Sequence, residues 1–400
     1  MEQEQNKAES VRRMYADFVV PSYQRSLTLT RGEGMYVWDA DGQRYLDMGG
    51  GVAVNSLGHA HPRIAAALHR QALTLTHTSN LYYNEQQALL ASRLVKQLAP
   101  GKIFFCNSGA EANECQYKLA RKVGNPRGRF EIITALNSFH GRTLAGIAAT
   151  GQGKVRVGFE PTVSGFKHVP YNDLDAVRAA VTDQTAAVLI EGIQGEGGVT
   201  PATAEYLLGL RKLTKERGIL LLWDGVQCGY FRTGRFQSFQ RILENVSGAA
   251  EFLPDAVAMA KSIGGGFPMG AVWINAGHAD VFQPGTHGTT YGGAPLSCAV
   301  ANAVLDEIEE KNLAANIRAM GELLKQKLSG LGRASIKEVR GMGGIIGIAL
   351  TVDGAAAAAK LQQAGLLLIP ATGNVLRFLP PLNVSEEHVE EAVGIIKKTL

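Results

Sequence analysis

The sequence predicts an α/β protein with a main sheet covered on both faces, followed by a smaller α+β unit. From about residue 100 to 310, short aliphatic runs alternate with stretches whose apolar residues recur at helical spacing. The short runs are continuously apolar, as strands buried on both faces must be. Beyond residue 310 the alternation stops, and a helix, several strands and a last helix follow.

In chain order, the first forty residues read as a helix, an irregular stretch and a strand over 35–38. Asp39-Ala40-Asp41-Gly42 then turns the chain into a second short strand over 43–46. Apolar spacing predicts helices over 62–75 and 85–98. Candidate strands of the main sheet lie at 102–106, 131–134, 187–190, 219–223 and 256–259. Helices are expected over 111–123, 174–180, 204–217 and 295–310. The C-terminal unit has a helix over 314–328, strands over 336–340, 345–350 and 375–378, and a helix over 386–398 with Ser385 as its N-cap.

Composition removes several function classes. With 400 residues and 46% hydrophobic side chains, the chain can bury a large core in two or three domains and is no disordered segment. No apolar run approaches the ~18 residues of a membrane-spanning helix. The polar, acidic opening is unlike a secretory signal. Forty basic against 36 acidic residues, without a basic cluster, argue against a nucleic-acid partner. Cys106, Cys115, Cys228 and Cys298 lack metal-ligand or disulfide spacing, so a reducing cytoplasm and no metal are expected.

Ligands of open α/β sheets collect beyond the carboxyl ends of strands, where this sequence places four polar signals. Ser108-Gly109-Ala110 opens a helix after the run 103–106. It is either an ordinary N-cap or a phosphate cradle of uncovered amides. Asp224 ends the run 219–223, either as a structural aspartate or as the partner of a protonated ring nitrogen. Lys261 follows 256–260 and precedes three glycines, so it either snorkels to the surface or forms a Schiff base. Phe139-His140-Gly141-Arg142 offers an aromatic face and a carboxylate-binding arginine, or a core phenylalanine and a surface arginine. No dinucleotide or P-loop glycine pattern is present. Cradle, ring aspartate, Schiff-base lysine and stacking aromatic together are the parts of a pyridoxal phosphate site.

At this point the chain resembles the class III pyridoxal-phosphate aminotransferases from about Tyr23 to Lys398. The densest matches are Gly58-His59-Ala60-His61-Pro62, Asn107 through Asn113, Ser138 through Thr143, Asp224 through Gly229 and Ala260 through Gly266. Arg232-Thr233-Gly234-Arg235, His287 through Gly293 and Arg377-Phe378-Leu379-Pro380 extend them. The resemblance implies fold type I: a large domain around a seven-stranded mixed sheet and a small α+β domain made from the chain ends. It divides the chain into an N-terminal segment 1–50 that joins the small domain, a large domain 51–310 and a C-terminal small domain 311–400.

By matching position it also implies roles. Ser108, Gly109 and Ala110 would take the phosphate, and Phe139 and Val226 the two ring faces. Asp224 would hold the ring nitrogen, Gln227 the phenolic oxygen and Lys261 the cofactor aldehyde. Thr290, with Thr289, would reach the phosphate of the other subunit of a homodimer. Arg142 and Arg377 would bind substrate carboxylates, with Glu196 as a switch that neutralises Arg377. An amino-group transfer from an acylated ornithine to 2-oxoglutarate is expected. Succinylornithine, succinyl-diaminopimelate, ornithine and 4-aminobutyrate remain alternative donors, and a decarboxylase or aminomutase a more distant reading.

Three positions depart from the family pattern. Gly192 stands for a usual proline, Gly225 for a usual glutamate and Ala294 for a usual asparagine. Gly225 is expected to leave a looser turn. His59 and His61 show no acidic partner at ligand spacing and are assigned no metal.

Overall fold

The computed structural model describes residues 2–400, with side chains from Lys7 onward. Its largest sheet has seven strands, numbered here in chain order: β1 Gly101–Cys106, β2 Glu131–Ala135, β3 Phe166–Val169, β4 Thr185–Glu191, β5 Leu220–Asp224, β6 Ala256–Met259 and β7 Gly270–Asn275. Across the sheet they run β1-β7-β6-β5-β4-β2-β3. β7 is antiparallel to β1 and β6, and the remaining neighbours are parallel, so the sheet is mixed.

Burial explains the central strands. All residues of β4, β5 and β6 are buried, which suits their aliphatic runs. The indoles of Trp223 on β5 and Trp273 on β7 are wholly enclosed. Helix Gly109–Gly124 crosses one face, and helix Ala204–Arg217 packs on β5. The latter ends at Gly218 in the left-handed conformation, φ 59°, a common helix stop.

Two strands of this sheet were not read from the sequence. Phe166–Val169 is a short edge strand carrying Lys167 and His168, so it lacks an apolar run. Gly270–Asn275 begins with a glycine directly after a glycine-rich turn. That glycine is required: a Cβ at Gly270 would stand 2.6 Å from the Ser108 carbonyl oxygen. The antiparallel strand is thus pressed against the turn that opens the 109–124 helix.

The two chain ends supply the two four-stranded sheets. Leu29–Glu33, Tyr36–Asp39 and Arg44–Asp47 form an antiparallel set, to which the C-terminal Leu366–Leu367 adds in parallel. Ile336–Met342, Ile345–Leu350, Val375–Phe378 and Ile369–Ala371 form a second, antiparallel sheet. The smaller domain is therefore made from the two termini. The segment Gly50–Ala53 joins it to the main sheet in four successive left-handed residues. Asp47 holds its start by accepting the Gly49 and Gly50 amides, and Ser262 donates to the Ala53 carbonyl. Among the described residues, no helix is long and apolar enough to cross a membrane.

Candidate active site

The strand ends of β1, β4, β5 and β6 open on a cavity of about 430 Å³. Ser108, Gly109, Ala110, Phe139, Arg142, Glu196, Asp224, Val226, Gln227 and Lys261 all line it, although they span more than 150 positions of sequence. Arg377 stands behind Glu196, 1% exposed. Thr289 and Thr290 do not line this cavity. The Thr289 hydroxyl accepts from Asn107 Nδ2 at 3.2 Å, and Thr290 is exposed.

Helix 109–124 presents its N-terminus to the cavity. Ser108 Oγ accepts the Glu111 amide at 3.2 Å, so Ser108 is the N-cap. The cap does not preclude a cradle, because it leaves the first-turn amides unmatched within the helix. A Cβ at Gly109 would stand 2.6 Å from Val226 Cγ1, so only glycine lets the helix start approach the β5 turn this closely. The amides and the positive helix end suit a phosphate.

Asp224 is nearly saturated. Its Oδ2 accepts from Asn113 Nδ2 at 2.7 Å and pairs with His140 Nδ1 at 2.8 Å, while Oδ1 accepts the Val226 amide at 3.0 Å. An ionised carboxylate only accepts, which puts the imidazole hydrogen on Nδ1. Asn113 is fixed in turn by Gln116, whose Nε2 donates to Asn113 Oδ1 and to the Trp223 carbonyl. Asn113 and Gln116 were not assigned roles from the sequence. Their signal was a pair of amides on the buried face of a helix, where polar groups need partners.

Lys261 follows β6 with φ 52°, a left-handed conformation that costs free energy for a residue bearing a Cβ. Burial holds its amine below the ordinary lysine range. The Arg377 charge adds to this, against the pull of Glu196, Asp224 and Glu191. A deprotonated amine is a nucleophile and a base.

Opposite Asp224, Arg377 Nη1 pairs with Glu196 Oε1 at 2.7 Å and donates to Gln227 Oε1 at 2.9 Å. The Glu196 side chain is 30% exposed and that of Arg377 1%. Arg142 is exposed, with its guanidinium carbon 5.6 Å from the Phe139 ring centroid and no ion pair among the described residues. Glu191 also lines the cavity and was given no role from the sequence, where it follows the expected strand 187–190. Burial, and then the Asp224 charge, push its carboxyl well above the usual carboxylate range.

One expectation needs correction. Gly225 is not loose: a Cβ there would stand 2.3 Å from Gln237 Oε1 and 2.9 Å from the Ala258 carbonyl oxygen. The Gln237 amide, fully buried, occupies the space a larger side chain would take. Gly192 is walled in the same way, its absent Cβ 2.4 Å from both Trp223 Cζ2 and Ser238 Oγ. The histidines do have acidic neighbours, distant in sequence: His59 Nε2 lies 2.9 Å from Asp47 Oδ2, and His61 Nε2 lies 3.8 Å from Glu307 Oε1. Because the two carboxylates differ, the pair does not converge on one point.

Residues 19–400 match the family model described as Aminotransferase class-III. The chain is 46% identical over 399 residues to the acetylornithine aminotransferase of Gloeobacter violaceus, covering 97% of each chain. Among solved structures it is similar to the ornithine aminotransferase of Toxoplasma gondii, with a TM-score of 0.91, 32% identity and coverage of 98% of this chain and 94% of that one. The acetylornithine aminotransferase of Elizabethkingia anophelis gives a TM-score of 0.84 at 32% identity, covering 98% of both. This chain belongs to the class III aminotransferases, pyridoxal-phosphate-dependent enzymes of fold type I.

Proposed function

We propose that this aminotransferase moves the distal amine of N2-acetylornithine to 2-oxoglutarate, giving N-acetylglutamate 5-semialdehyde and glutamate, and so serves arginine biosynthesis. The Glu196–Arg377 pair carries the reading, because it offers one cavity two electrostatic states. Likeness to acetylornithine aminotransferases along nearly the whole chain supports the donor.

The residues present fit pyridoxal phosphate. The Ser108, Gly109 and Ala110 turn would take the phosphate, Phe139 and Val226 the ring faces, Asp224 the ring nitrogen and Gln227 the phenolic oxygen. When bound, the cofactor supplies an electron sink for the carbon that loses its proton. Asp224, held by Asn113, His140 and the Val226 amide, would face the ring nitrogen as an acceptor and favour a proton there. Lys261 would hold the cofactor at its aldehyde, and its buried amine, held below the ordinary lysine range, would serve as the base that moves the substrate proton. Arg142 receives the α-carboxylate of acetylornithine while Glu196 keeps Arg377 neutralised. With glutamate, Arg142 takes the γ-carboxylate, Glu196 moves away and Arg377 takes the α-carboxylate. Two planar forks suit two carboxylates better than point charges would.

The reading includes a homodimer in which Thr289 and Thr290 of one protomer complete the phosphate site of the other. Their position off the cavity, on an exposed loop, supports it.

A donor panel tests the substrate. Rapid mixing of the loaded enzyme with acetylornithine, succinylornithine, ornithine and 4-aminobutyrate, followed through the cofactor's near-visible absorption, should show acetylornithine reacting fastest. Preference for another ω-amine would retain the mechanism and overturn this donor.

A further inference from the structure

Glu191 ends β4 and Asp224 ends β5, and the two are direct register partners in a parallel pair. Paired residues point to the same face of a sheet, so both carboxyls face the same cavity. Their residues are 6% and 3% exposed. Their partners differ sharply. Asp224 is bound by Asn113, His140 and the Val226 amide. The side chain of Glu191 has one donor, the Phe139 amide, at 3.2 Å to Oε2, and no ion pair among the described residues.

Two desolvated carboxyls at neighbouring strand ends do not both hold a charge. The charge goes to the one with more donors, which is Asp224. The other groups around Glu191 agree. Tyr171 donates to the Glu191 main-chain carbonyl at 2.6 Å and leaves the carboxyl alone. Cys228 is a buried thiol and Glu196 a further anion. Of the two basic groups nearby, Arg377 is paired with Glu196, and burial holds the Lys261 amine below its ordinary range.

We propose that Glu191 is a positioning residue that works as a neutral carboxylic acid, anchoring the Phe139 backbone and leaving Asp224 the single anion at the strand ends. The proposal rests on the roles given above to Phe139 and Asp224. Oε2 accepts the Phe139 N–H, so the acid proton sits on Oε1. An ionised Glu191 would repel the Asp224 charge and would draw a proton onto Lys261, removing the nucleophile. Neutrality here therefore keeps both neighbours in their working states.

Infrared spectroscopy of the full-length enzyme at neutral pH, with cofactor bound and after its removal, tests the claim. The parent should show the carbonyl stretch of a protonated carboxyl, and Glu191→Gln should lose that band. Cofactor retention gives a second reading. Glu191→Ala leaves the Phe139 N–H without an acceptor, so cofactor should dissociate about tenfold more readily. Glu191→Gln, neutral and of equal length, should recover most of that loss. A parent band absent at neutral pH, or a Glu191→Gln variant as impaired as Glu191→Ala, would overturn the proposal. The band is read without substrate, so it reports on Glu191 whichever ω-amine is the donor.

Discussion

Asp224 and Arg377 are both enclosed, at 3% and 1% exposure, yet their partners are of opposite kinds. Asp224 is closed by three donors on rigid elements: an asparagine inside a helix, a buried imidazole and a backbone amide. Arg377 is closed chiefly by the side chain of Glu196, which keeps 30% of its surface in solvent and hangs on a glycine-flanked loop. A fixed anion suits a task that is the same for every substrate. An exchangeable ion pair suits a task that alternates. Permanence and exchange are set by the mobility of the partner, since both primary groups are enclosed.

Asp224→Ala is expected to have the largest effect. Removing it leaves His140 and Asn113 without their acceptor and any ring-nitrogen proton without its counter-charge. A loss of about 3–5 kcal/mol follows, on the order of a thousandfold in turnover. Steady-state kcat and the cofactor dissociation constant measure it. A variant within about tenfold of the parent would break the fixed side of the comparison.

Gly225, next to that aspartate, sits in a closely packed turn. Gly225→Ala pushes a methyl group against Gln237 and the Ala258 carbonyl, and should destabilise the fold by about 1–3 kcal/mol. Pairing it with Gln237→Ala opens the space and should return much of that loss in denaturant unfolding. Equal stability of parent and single variant would mean that the turn is as loose as the glycine alone suggests.

The smallest expected change lies outside the cavity. Ala294 is the N-cap of helix Pro295–Glu310 and gives it no side-chain cap. Ala294→Asn should raise stability by about 1 kcal/mol, seen as a higher unfolding midpoint, with kcat as in the parent. Altered kcat would tie this helix end to the site.

The sequence shows where the chain turns buried and which polar residues sit at strand ends, because both are local properties. Asp224 and Lys261 announce themselves by following apolar runs, and the helix at 109–124 by its serine cap. What decides their chemistry is not local. The Asn113–Asp224 bond spans 111 positions and the Arg377–Gln227 bond 150, so no periodicity records them. Glu191 looks like any acid after a strand until β4 and β5 are laid in register. Gly225 misleads for the same reason, since the residue that fills its space is Gln237, twelve positions on, and the contact depends on the path between them.

The exchangeable side of the comparison is tested most directly by following each half-reaction in a single turnover, through the cofactor's absorption, in the parent, Glu196→Ala and Arg377→Ala. Arg377→Ala should slow the glutamate half-reaction far more than the acetylornithine one, by about 2–5 kcal/mol, a factor of roughly 30 to several thousand. Glu196→Ala leaves Arg377 open to any α-carboxylate, so it should react with glutamate at least as fast as the parent while losing its preference for the ω-amine. Equal losses in both half-reactions for both variants would contradict the account.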